Sequence, residues 1–285
     1  MGGAASQTAG WPGWHADPSV LIGLALLALA YAGATRWLER TRPAEAPTRA
    51  QRVWLAVAIA SVLLALTGPL HDLSECCLFT AHMTQHLLLM LAFPPALLLS
   101  LPAGMLRPLV RPRWAFAAAR FMTRPVLAYA LCNAVFAVFH LPYLYDLTLR
   151  NHNLHIGEHL LFIATAVLLW WPLLSPLPEL PRLSYAAQLL YLFVQVLPGS
   201  LIGGLIANSE RPLYQFYAAA PRVSFLTAVQ DQQLGAIVMW VGGGTFFLIA
   251  FTIVFFRWAG RDMAESRAHV APRSGTPLGR QPPGT

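Results

Sequence analysis

Apolar residues in this chain run in long blocks separated by short polar stretches. Seven blocks, approximately Val20–Tyr31, Val53–Leu70, Leu78–Leu101, Val126–His140, Leu154–Leu174, Tyr185–Ile206 and Gln233–Phe256, contain no arginine. A hydrocarbon slab about 30 Å thick is crossed by roughly 20 apolar residues of helix. The pattern therefore predicts an all-α membrane protein, a bundle of seven transmembrane helices. The first block is the shortest, and Ala32, Gly33 and Ala34 extend it toward Trp37.

Composition agrees with that reading. Only 11% of the 285 residues are charged and 56% are hydrophobic, whereas soluble domains average roughly 25% and 45–50%. The formal charge of +7 would suggest a nucleic-acid partner in a soluble chain. Here all 19 basic residues are arginines lying in the connections between blocks, so no nucleic acid is expected. Sixteen of the 19 fall in the first, third and fifth connections and the tail, leaving Arg150, Arg211 and Arg222 on the other side. Because short arginine-bearing loops are retained in the cytoplasm, the expected orientation is N-terminus outside, C-terminus cytoplasmic. Residues 1–19 then form a periplasmic segment, 20–258 the transmembrane domain, and 259–285 a disordered cytoplasmic tail rich in Arg, Pro and Gly. The start lacks the basic residues of a cleavable signal, so the first span is expected to remain as an anchor.

Candidate chemistry concentrates at the outer ends of these spans. Eight of nine histidines fall there: His15, His71, His82, His86, His140, His152, His155 and His159, with His269 alone in the tail. His82 and His86 are four residues apart, as are His155 and His159, so each pair shares a helix face one turn apart. Facing pairs on two helices can supply three or four imidazole nitrogens to an ion at roughly 2.0–2.1 Å. His140 and His152 lie at similar depth, completing a predicted metal set of six. Met83, Met90, Cys76, Cys77, Asp72, Glu75 and Glu158 are nearby donors. Imidazole with sulfur favours copper or zinc, and methionine admits Cu(I). Taken singly, each histidine is as readily explained by snorkelling or by a bond to a backbone carbonyl. Ligating imidazoles must be neutral, so retention of an ion is expected to weaken as pH falls through roughly 6.5.

Other features have plainer readings. Cys76 and Cys77 are adjacent and poorly placed to share one ion, and Cys132 reads as packing. His155-Ile156-Gly157-Glu158-His159 matches the H-x-x-E-H pattern of zinc peptidases, although Glu158 can instead orient a histidine. Asn208, Glu210, Arg211 and the Gln230–Gln233 run could hydrogen-bond the histidines, or Asp231–Gln233 could cap the last span. Pro94-Pro95 is expected to kink or end the third span, Pro198-Gly199 to bend the sixth, and Gly242–Gly244 to admit close helix approach.

Several stretches in order resemble the seven-span CtaG-like family of cytochrome c oxidase assembly factors associated with bacterial caa-type oxidases. They are His82-Met83-Thr84-Gln85-His86 with Pro94-Pro95; His140-Leu141-Pro142 with Tyr145-Asp146; His152–Leu160 with Trp170-Trp171-Pro172; Arg211-Pro212-Leu213-Tyr214; and Asp231–Gly235 with Met239-Trp240. The resemblance implies a multi-pass protein of the bacterial inner membrane. Its implied partners are lipid and an oxidase subunit, and its implied role is metallation of the oxidase copper centre. A different copper-delivery protein sharing the CtaG name has one span and a Cys-x-Cys motif, which this chain lacks. Copper is thus the expected ion of a metallochaperone. The competing readings are a zinc-dependent membrane hydrolase and a protein ligating haem between spans.

Overall fold

The computed structural model describes residues 17–270, with side chains described as far as 264. Among these residues every regular element is helical. α1 (Pro18–Thr41) starts on an Asp17 cap that accepts from the Ser19 amide at 2.7 Å. It runs past the predicted end at Tyr31, because Arg36 and Arg40 sit beyond the apolar run without interrupting the helix. α2 (Arg49–Leu66) opens on a Thr48–Gln51 capping box. It stops four residues short of the predicted Leu70, where Gly68 adopts φ +68° and Pro69 lacks an amide hydrogen. His71 accordingly belongs to a separate short helix, α3 (Gly68–Cys76).

α4 (Phe79–Ser100) and α9 (His152–Leu174) are the most enclosed spans. α4 is not ended by Pro94-Pro95. It relaxes into a π turn at Leu88–Ala92 and continues. The two prolines withhold the amides that would serve the Met90 carbonyl, and Trp170 Nε1 donates to that oxygen at 3.1 Å instead. α5 (Ala103–Val110) and α6 (Arg113–Met122) lead into α7 (Pro125–Phe139), bent 67° from α6. With only 15 residues, α7 rises about 22 Å, so the fourth crossing is this bent pair. α8 (Pro142–Arg150) precedes α9; α10 (Tyr185–Ala207) continues through Pro198 without a break. After α11 (Gln215–Ala219), α12 runs through Ala228–Ile237, a π turn at Val238–Gly242, and Gly243–Val270. The boundary expected at residue 258 therefore lies inside a helix, and the segment expected to be disordered lies outside the described residues only after 270. Among the described residues six helices are long and apolar enough to cross a membrane, or seven spans counting α6 with α7.

Asp17 at the start of α1 lies 3.2 Å from His152, so α1, α3, the start of α4, the start of α9 and α12's first turns gather at one end of the bundle, the histidine end. Two glycines let the helices there approach. A Cβ on Gly235 would collide with the Phe79 ring, and one on Gly203 would stand 2.7 Å from the Trp240 Cβ. Gly242 behaves similarly toward Leu87, at 3.1 Å. The resulting core at this end joins Phe79, Met83, Tyr145, Tyr214, Tyr217 and Met239.

Candidate metal centre

The histidines are set by helix starts. α4's first turn is capped from outside: the Asp231 carboxylate, on α12, accepts from the Phe79 amide at 2.8 Å, the Thr80 amide at 3.2 Å and the Thr80 hydroxyl at 2.7 Å. This corrects the expectation that Asp231 caps its own span, a role taken by Thr227 with Gln230. α9 is capped by Asn151, which accepts from the Asn153 and Leu154 amides at 3.1 and 3.2 Å.

One turn of spacing then brings His82 Nε2 to 2.8 Å from His86 Nε2, and His155 Nε2 to 3.0 Å from His159 Nε2. The pairs face each other across the helices. The His82 and His155 rings stack at 5.2 Å, and those of His86 and His159 meet edge to face at 5.6 Å. All four are buried, as is Glu158 at 1% exposure. Two donor sets, His82 with His155 and His159, and His82 with His86 and Glu158, each place one ligand atom per residue within 4.8 Å of the others. Ligands arranged tetrahedrally at 2.0–2.1 Å stand about 3.3 Å apart, so the paired Nε2 atoms already lie near that spacing, and the three-residue sets, within 4.8 Å, need to draw in to share an ion.

The outer partners fix the tautomers. Tyr217 donates its hydroxyl to the Ser74 carbonyl at 2.6 Å, so at 2.9 Å it accepts from His82 Nδ1–H. His155 Nδ1 lies 3.0 Å from Glu75, and His140 Nδ1 donates to the Phe136 carbonyl at 2.7 Å. Each of these imidazoles therefore turns an unprotonated Nε2 away from its anchor. Burial disfavours ionisation of Glu75, but the hydrogen bond from His155 outweighs it and holds the carboxyl below its usual range. Burial pushes the Tyr217 phenol up, which keeps it a donor.

Most of the unpartnered buried polar atoms belong to residues around the histidines. Both carboxylate oxygens of Glu158, His86 Nδ1, His140 Nε2 and the Tyr145 hydroxyl are buried without a partner. Thr148, alongside Glu158, gives its hydroxyl to the Tyr145 carbonyl at 2.9 Å. Unpaired acceptors and a desolvated carboxylate at one point are costly unless a cation is shared among them. The donor chemistry of either three-residue set, His82 with His155 and His159 or His82 with His86 and Glu158, fits a metal ion.

Of the six predicted ligands, the structure brings these four histidines together and sets His140 beside them, its ring 6.3 Å from that of His86. His152 does not join. At α9's first position it points outward, 67% exposed, onto Asp17, because one further turn carries it beyond the layer closed by Glu75. Cys76 and Cys77 form a disulfide and so present no thiolate. Met83 and Met90 line a cavity of about 70 Å³ next to His86 and His140. Asp231, Gln232 and Gln233 bond backbone groups rather than histidines. Sequence reasoning missed Tyr217 and Ser74. Their one cue is the Tyr145-Asp146 pair, since Asp146 accepts from the Gln215 and Phe216 amides at 2.9 and 3.1 Å and so fixes the turn bearing Tyr217.

Fold and site together define a polytopic helical membrane protein with a buried imidazole–carboxylate cluster at one end. The model of the cytochrome c oxidase caa3 assembly factor family (Caa3_CtaG) matches residues 29–261, and the chain belongs to that family. It is therefore a cytochrome c oxidase assembly factor. Neither curated proteins nor solved structures gave a match.

Proposed function

We propose that this assembly factor holds copper at the histidine end and passes it by ligand exchange to a nascent oxidase subunit. The observation that carries this reading is the gathering of four buried imidazoles, two of them anchored through Nδ1, with a Glu158 carboxylate that has no hydrogen-bond partner among the described residues. Nitrogen and oxygen donors suit Cu(II) or zinc; family membership favours copper as the cargo, and the neighbouring methionines suit Cu(I). By the retention of short arginine-bearing loops in the cytoplasm, the arginine distribution favours a histidine end facing the periplasm. The partner is then the oxidase subunit that receives the metal.

A zinc hydrolase is the second reading, favoured by the H-x-x-E-H spacing and by Glu158 lying among the histidines. Against it, every candidate ligand is buried, so no ligand face opens to a bulky substrate. Haem fits less well, because rings in hydrogen-bond contact and packed by Tyr145 and Phe162 leave no slot for a macrocycle. The test is metal content and oxidase activity with His82→Ala and His86→Ala combined. The expected result is a drop to below about one tenth of wild-type copper, together with loss of copper-centre activity in the membranes. Unchanged copper and activity would sink the proposal.

A further inference from the structure

At the opposite, arginine end lies a cavity of about 930 Å³ between α2, the second half of α4, the end of α9, the start of α10 and α12. Its depth is apolar, walled by Trp54, Ala96, Leu173, Leu192 and Phe246. Ile249 and Ile253 line it while remaining 55% and 48% exposed, so it opens sideways to the bilayer. Arg182, Arg257 and Arg261 stand at its polar rim. Some arginines of this end are paired with acids: Arg107 with Glu179 and Glu45, Arg52 with Glu39, and Arg42 with Glu45. The three rim arginines have no acidic partner among the described residues. Arg182 spends only Nε, on the Ser175 carbonyl at 3.0 Å, and Arg261 lies over the Tyr185 ring at 5.6 Å.

We propose that this cavity binds one anionic phospholipid, acyl chains in the apolar depth and phosphate against Arg182, Arg257 and Arg261. A basic pocket between helices at the arginine-rich membrane face is where such headgroups are held, and the volume falls in the range of ligand sites. The lining contains no histidine, cysteine, methionine or carboxylate, which excludes a metal or an axially ligated haem. The chain's own residues 271–285 carry Arg273 and Arg280 and no acid, so they have the wrong charge to fill it.

The test is native mass spectrometry of the purified full chain after exchange into detergent with phosphatidylglycerol or phosphatidylcholine of identical acyl chains. Phosphatidylglycerol is expected to be retained about tenfold over phosphatidylcholine, because three arginines favour a net anionic headgroup over one whose phosphate is neutralised by a choline ammonium. The combined variant Arg182→Gln, Arg257→Gln, Arg261→Gln is expected to abolish that preference, and Ala250→Trp to displace both lipids. Inorganic phosphate at millimolar concentration is expected not to compete. Equal retention of the two lipids by the wild type, a preference surviving in the triple variant, or full competition by phosphate would overturn the proposal. So would a gain in lipid retention on removing residues 271–285, which would give the cavity to the tail. The comparison of lipids in the wild type stands whether or not the variants fold.

Discussion

Tyr217 and Glu158 act on the cluster in opposite ways. Tyr217 organises it: its hydroxyl links the Ser74 carbonyl to His82 Nδ1 and thereby points Nε2 inward. Tyr217→Phe leaves that nitrogen buried without an acceptor, at a cost of about 1–3 kcal/mol. Metal affinity is expected to fall about 10- to 100-fold, read by competition with a chelator of known affinity. Glu158 instead destabilises the metal-free protein, since a desolvated carboxylate there lacks any hydrogen-bond partner. Glu158→Gln is therefore expected to raise the melting temperature of metal-free protein by about 2–4 °C. The same change is expected to shrink the stabilisation gained on adding metal. A lower melting temperature without metal would show that the carboxylate is paired by other means.

The start of α4 depends on a residue of α12. Asp231 is about 150 positions from the amides it caps, and loss of such a cap costs about 0.5–2 kcal/mol. Asp231→Ala is expected to lower thermal stability by that amount and to weaken metal binding, because His82 and His86 ride on the loosened turns. Asp231→Asn, which keeps one acceptor, is expected to retain most of both. Gly235→Leu acts on the same junction through the Phe79 ring and is expected to destabilise more than either. These long-range couplings mark what the sequence did not disclose. The spans were legible because apolar blocks obey bilayer thickness, and the His pairs because i, i+4 spacing is local. The break at Gly68-Pro69 was equally local, yet the apolar run to Leu70 hid it. Whether Asp231 caps its own helix or a neighbour's, and whether His152 turns inward or onto Asp17, is decided by packing between distant segments. Tyr217 carries no local signature, for a phenol in a short connection reads like any interfacial aromatic.

Across the whole molecule, imidazoles and arginines are segregated. Imidazoles gather at one end, while three arginines without an acidic partner among the described residues rim a cavity of about 930 Å³ at the other. The proposed orientation predicts that green fluorescent protein fused after Thr285 fluoresces and that alkaline phosphatase there is inactive. The reverse would place the histidines on the cytoplasmic side and remove their access to periplasmic copper. Embedding the cluster at the end of a rigid bundle keeps the imidazoles close without a loop to order, so the cost of assembling the ligands is met by folding. The most direct measurement is X-ray absorption at the copper edge on wild-type protein loaded with one equivalent. The account predicts a nitrogen and oxygen shell at about 2.0 Å with imidazole scattering. A shell dominated by sulfur, or copper that washes off on desalting, would contradict it.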